Sequence, residues 1–153
     1  MASTTPLTEA GLVIVDLAAP TKDEATRQLA QTLFDQGRVS DLDGFLADVR
    51  AREAQMATGL PGGIGIPHAR SSHVTVASVA VGVSPAGVDF GAEDGPAHLI
   101  FLIAAPDGAD QNHLVILAQL ARKLVHDDFR QSLRDAGTPE AVAEIVTREV
   151  VLP

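Results

Sequence analysis

Gly62-Gly63-Ile64-Gly65-Ile66-Pro67-His68 sets three glycines and a proline directly ahead of a histidine. Imidazole is a nitrogen nucleophile with a reference pKa of about 6.5, so it is largely neutral near pH 7 and able to form covalent intermediates, with a phosphoryl group as its natural cargo. The glycines let backbone N–H groups approach a bulky anion. Pro67 fixes its own φ and biases Ile66 towards an extended conformation, which restricts how His68 is aimed. Gly62, Gly63, Ile64, Gly65 and Pro67 are therefore read as a phosphate loop around His68. A histidine that only decorates or caps a surface turn fits the same residues, and both readings stay open here. The GxxxxGK[ST] order of a nucleotide-binding loop is absent.

Two further residues could act on an anion held by His68. Leu42, Phe45, Leu46, Val49 and Met56 form the apolar stripe of a helix opened by Ser40 and Asp43, and the helical repeat drops Arg52 and Glu53 into that stripe. Arg52 either snorkels at the stripe's edge or reaches out as a planar fork for phosphate oxygens. Asp110-Gln111-Asn112-His113 leads into a strongly apolar segment ending near Val125, read as a deeply buried helix. With Asp110 as N-cap, His113 is the third residue of the first turn, where free backbone N–H groups and the helix dipole favour anions. Capping and interior hydrogen bonding are equally open to it.

The rest of the chain supplies the elements that position these groups. Leu12–Leu17 reads as a strand buried on both faces. Thr21 and Glu24 have capping-box spacing, and a helix is expected from about Thr21 to Gln36, stopped by Gly37. Strands are expected within Val74–Ser84, at Gly87–Phe90 and at His98–Ala105, separated by turns at Ser84–Gly87 and Gly91–Pro96. Two closing helices follow, Asp127–Ala136 and one capped by Thr138 with Pro139 in its first position. These patterns predict an α/β fold: one layered domain over residues 11–153, with a mixed parallel and antiparallel central sheet of about five strands and helices on both faces. Residues 1–10 are expected to be a disordered lead-in. His73, His98 and His126 are read as non-catalytic.

With 153 residues, the chain has enough length for one core. It is 46% hydrophobic but only 3% aromatic, so that core must be built from Val, Ile, Leu and Ala. A formal net charge of −9 argues against nonspecific affinity for nucleic acid or an anionic membrane surface. The absence of cysteine removes disulfides, thiolate metal sites and cysteine nucleophiles, and fits a cytoplasmic protein. No apolar run is long enough to span a membrane, no export signal is evident, and no metal-ligand spacing stands out.

Leu60–Ala69 resembles the active-site signature of the fructose/mannitol-type (type 2) IIA components of the bacterial phosphoenolpyruvate-dependent sugar phosphotransferase system. Pro61 and Gly65 stand where that pattern commonly has glycine or alanine and alanine, respectively. Gly87–Phe90 and Asp94–Phe101 look most like fructose-specific members, and the resemblance runs along nearly the whole chain. It implies that His68 accepts a phosphoryl group from the phosphocarrier protein phospho-HPr. His68 would then pass it to a cysteine of the sugar-specific IIB component, with the IIC permease engaged only indirectly and no cofactor or metal required. It also implies that Arg52, 16 residues upstream, and His113, 45 residues downstream, neutralise the phosphoryl oxygens. Two rivals remain. One is a nitrogen-related regulatory IIA protein that signals by phosphorylation-dependent protein binding, and the other is a hydrolase using His68 as a general base. No Ser, Asp and His order suggests a triad for the second.

Overall fold

The computed structural model describes residues 7–55, 58–60, 62–93, 95–106, 112–124 and 126–149, and within 112–124 only the side chains of Val115, Ala118, Gln119, Leu120, Arg122, Lys123 and Leu124. After a 3-10 turn at Ala10–Leu12 come β1 (Val13–Ile14), α1 (Lys22–Asp35), α2 (Leu42–Gln55), β2 (Gly59–Leu60), β3 (Ile64–Gly65) and β4 (His68–Ser71). They are followed by β5 (Ser78–Val88), β6 (Ala97–Pro106), α3 (Asn112–Leu124), α4 (Asp127–Asp135) and α5 (Pro139–Glu149).

One six-stranded sheet runs in the order β1-β5-β6-β3-β2, with β4 also paired to β6. β1 is parallel to β5, β5 antiparallel to β6, β3 and β4 parallel to β6, and β2 antiparallel to β3. Ile64 pairs with Leu99 and His68 with Ile103, so β3 and β4 are one strand broken at Ile66-Pro67 without a change of register. The sheet thus has five positions across, one of them split, which matches the mixed sheet expected from the sequence.

Alternation along the central strands assigns each face its cover. Val79, Val81, Val83, Leu99, Phe101 and Ile103 pack with Leu120, Leu124, Leu133, Val142 and Val146 of α3, α4 and α5. Ala80, Ile100, Leu102 and Ala104 pack with Leu29, Leu33, Phe45, Leu46 and Val49 of α1 and α2. Fully burying a side chain of this size stabilises by roughly 1.5–3 kcal/mol relative to exposure, and Leu99 through Ile103 are all buried, so β6 is the axis of the fold.

Local signals hold where a cap fixes them. Thr21 Oγ1 accepts from Glu24 N–H (3.2 Å) at the start of α1, and Gly37 ends that helix region at φ 75°. Thr138 Oγ1 accepts from Ala141 N–H (3.2 Å) at the start of α5. Asp41, rather than Ser40, caps α2 by accepting from Gly44 N–H (3.2 Å).

Four expectations are corrected. The Leu12–Leu17 strand shrinks to Val13–Ile14, because Ala10–Leu12 is a 3-10 turn and Leu17 contributes only its N–H, donated to Val83 O (2.9 Å). Ser84–Gly87 does not separate two strands: β5 runs through it as a register irregularity between Val83 and Val88, with Gly87 at φ 86° and its N–H donated to Ser84 Oγ (3.1 Å). Within the expected lead-in, Leu7 and Thr8 are ordered into the fold: both are buried, and Leu7 O accepts from Val79 N–H (2.9 Å). Finally, α3 is not deeply buried throughout: among its described side chains Leu120 and Leu124 are buried while Ala118 and Arg122 are exposed.

Candidate active site

His68 opens β4 at the point where the strand restarts after Ile66-Pro67, and its ring is half-buried. Proline has no N–H for the ladder, so the strand can break here without orphaning a donor. Pro67 still contributes its carbonyl, which accepts from Ile103 N–H (3.0 Å). The break leaves the Ile66 carbonyl free to turn back to His68 Nδ1, 2.9 Å away. On the other side of the ring, Arg52 Nε lies 3.3 Å from His68 Nε2.

These two neighbours fix the tautomer. A carbonyl only accepts and a guanidinium only donates, so Nδ1 carries the hydrogen and Nε2 presents its lone pair. The Nε2 contact is longer than an ordinary hydrogen bond, so the guanidinium guards the lone pair without binding it tightly. Arg52 Nη1 donates to Gln55 Oε1 (3.3 Å), which holds the fork in place from within the last turn of α2. Nη2 makes no hydrogen bond among the described residues. The side chain is exposed, so it projects from the end of the apolar stripe towards solvent, while Glu53 takes the inward place beside it.

One turn earlier on α2, Asp48 Oδ2 accepts from the buried Ser71 hydroxyl at 2.6 Å. Ser71 ends the four-residue strand that His68 begins. This bond ties α2 to β4 and so sets the distance between Arg52 and His68. Neither Asp48 nor Ser71 was singled out in the sequence, where only the register of α2 against β4 could have paired them.

The remaining loop positions are elsewhere. His68 and Ile64 pair with β6 residues four apart, roughly 13 Å at ~3.3 Å per residue, and Gly62 and Gly63 lie farther still. Gly62 (φ 95°) and Gly63 (φ 78°) turn the chain between β2 and β3, a conformation that favours glycine. A Cβ on Gly63 would stand 2.9 Å from Arg134 Nη2, which donates to Gly62 O (3.3 Å), so α4 occupies this end. Ile64 is core, and a Cβ on Gly65 would lie 2.8 Å from the Phe90 ring. Of the five positions read as a phosphate loop, Pro67 adjoins His68, while Gly62, Gly63, Ile64 and Gly65 lie in the β2–β3 turn and in β3. The glycines serve a turn and close packing.

His113 is the second residue of α3, with its side chain outside those described, and the expected cap Asp110 also lies outside the described residues. His68 is in register with Ile103, whose side chain belongs to the core covered by α3. The other histidines sit apart: His98 Nδ1 meets Ser84 O (2.9 Å), His73 faces Asp41 and His126 caps α4 without a side-chain bond. Among the described residues, no three His, Asp or Glu side chains stand together as metal ligands.

A neutral imidazole with one fixed lone pair, faced by a loosely held guanidinium, is arranged to take up an anionic electrophile. Comparison with known proteins agrees. The family model described as phosphoenolpyruvate-dependent sugar phosphotransferase system, EIIA 2 matches residues 6–149. A "PTS system fructose-specific EIIA component" from Haloferax volcanii is 38% identical over 91% of this chain and 92% of its own length. A "Nitrogen regulatory protein" from Pseudomonas aeruginosa is 35% identical over 89% of each chain. Among solved structures, the nitrogen regulatory protein IIA-Ntr from Neisseria meningitidis superposes with a TM-score of 0.83 at 28% identity, over 92% of this chain and 96% of that one.

Proposed function

The chain belongs to the EIIA type 2 family of the phosphoenolpyruvate-dependent sugar phosphotransferase system, whose members are phosphotransferase components working through a phosphohistidine, and on that footing we propose that His68 carries the phosphoryl group on Nε2. Phospho-HPr is the donor: the Nε2 lone pair attacks phosphorus in line, the new N–P bond forms as the donor's bond breaks, and no proton need leave Nε2. The proton stays on Nδ1, where the Ile66 carbonyl stabilises the positive charge that the ring acquires. Arg52 moves its donors from the lone pair to the phosphoryl oxygens, aided by Nη2, which makes no hydrogen bond among the described residues. His113, from the helix on the sheet face of Ile103, supplies a second donor. Phosphoryl transfer rests mostly on such positioning and charge stabilisation. In the second half-reaction a cysteine thiolate of a IIB component takes the group and His68 regains its lone pair.

The observation carrying this reading is the pair of contacts that fixes the tautomer, Nδ1 on Ile66 O and Nε2 on Arg52. Fructose as the sugar is supported by the 38% identity to a fructose-specific component along nearly the full length of both chains. A cytoplasmic location is supported by the cysteine-free sequence, and no described helix is long and apolar enough to cross a membrane. A regulatory role is the second reading, favoured by the likeness to nitrogen regulatory proteins in sequence and in fold.

Reconstitution with phosphoenolpyruvate, enzyme I, HPr and a fructose-type IIB–IIC pair separates the two. The transport reading expects sustained formation of fructose phosphate that depends on this chain. A protein that charges at His68 but passes no phosphate to that IIB would contradict transport and favour regulation.

A further inference from the structure

We propose that Glu53 is a positioning residue for His68: through Thr58 and Ile66 it holds the imidazole in the tautomer whose Nε2 is free to attack. The proposal rests on the phosphohistidine reading for its purpose but not for its geometry. Glu53 leaves α2 next to Arg52, yet turns inward, with its side chain only 10% exposed. One carboxylate oxygen accepts from the Thr58 backbone N–H (3.0 Å) and the other from the Thr58 hydroxyl (2.7 Å). That two-point grip fixes the Thr58 peptide. The Thr58 carbonyl accepts from Ile66 N–H (3.1 Å), and the Ile66 carbonyl faces His68 Nδ1 (2.9 Å). Lys22 of α1, 3.7 Å from Glu53 Oε2, adds a partly exposed cation behind the carboxylate.

The consequence is chemical, beyond simple support. Neutral imidazole in water prefers to carry its proton on Nε2, which would block the nucleophilic position. A fixed acceptor at Nδ1, acting with the Arg52 donor at Nε2, reverses that preference, and a ring nitrogen's proton is set by the bond its partner makes. The Ile66 carbonyl lies in a strand break, where no continuous ladder holds it, so its aim depends on the Thr58 contact at Ile66 N. Neighbouring positions on α2 thus serve opposite ends of one ring: Arg52 faces Nε2, and Glu53 governs Nδ1. Charge-assisted bonds to a carboxylate are strong enough to make that control effective.

The test is the tautomer of His68 in the uncharged protein, read from its ring nitrogen shifts in ¹⁵N-histidine-labelled material, together with the rate of phosphoryl uptake from phospho-HPr. Glu53→Ala should raise the Nε2–H form from a minor to a major population and slow uptake about 10-fold at saturating donor, with little change in the donor concentration needed for half-saturation. Glu53→Gln should restore the parent tautomer, because its amide can accept from Thr58 N–H and donate to the Thr58 hydroxyl. Thr58→Val, which removes only the hydroxyl contact, should fall between the two and serves if the alanine variant does not fold. A parental tautomer in the alanine or valine variant would overturn the proposal. So would failure of the glutamine variant to recover it. A tautomer that responds as expected in a protein that takes up no phosphate would instead sink the phosphohistidine reading and leave the positioning role intact.

Discussion

His68→Ala should take up no phosphoryl group from phospho-HPr, whereas the parent should be labelled to one group per chain. The substitution removes the only atom to which the account assigns a covalent bond, so the expected effect is loss of labelling rather than a slower rate. The protein should stay folded. His68 is half-buried in the first position of a strand, and among the described residues its side chain bonds only to the Ile66 carbonyl and Arg52. The β4 ladder to β6 uses backbone groups that alanine keeps. Intact-mass spectrometry under conditions that preserve acid-labile phosphohistidine gives the answer, with circular dichroism as the folding control. Stoichiometric label on the alanine variant, or on His113 in the parent, would remove His68 from its role.

Arg52→Ala should slow uptake by on the order of 10²-fold, the loss seen when one preorganised donor is taken from a developing oxyanion. Arg52→Lys keeps the charge but replaces a planar fork with a point charge on a flexible stem, so it should recover only part of that rate. Neither change should alter stability by more than about 0.5 kcal/mol, because the side chain is exposed and its contacts are the 3.3 Å approaches to His68 Nε2 and Gln55 Oε1. Rapid-quench transfer from phospho-HPr and urea unfolding measure the two quantities. Lysine and arginine proteins charging at the same rate would mean that the guanidinium only snorkels.

How much of this was legible without coordinates differs between the two halves of the site. Arg52 was visible because a cation broke an apolar helical row, and that row does run off the core near residue 52. Glu53 stood out in the same break but showed no partner, since Thr58 and Ile66 meet only when β2 lies beside the β3–β4 strand. The spread of the glycine loop along the strand was hidden for a related reason. Gly62 and Gly63 are close to His68 along the chain, but an extended strand converts sequence proximity into distance at ~3.3 Å per residue. The two central strands were readable in Val79–Val83 and Leu99–Ile103, where apolar runs of strand length are buried on both faces. The continuity of β5 was not. Ser84-Pro85-Ala86-Gly87 has the composition of a turn, and what carries the strand through it is the long pairing with β6 and a glycine at positive φ.

The central claim is that the phosphoryl group sits on Nε2 of His68, with the proton retained on Nδ1. Phosphorus–nitrogen coupling in ¹⁵N-histidine-labelled protein, charged with phosphoenolpyruvate, enzyme I and HPr, tests it at the level of a single bond. The account predicts one phosphohistidine, coupled through Nε2 and assigned to His68 by its disappearance in His68→Gln. Coupling through Nδ1, or a phosphohistidine that persists in that variant, would contradict it.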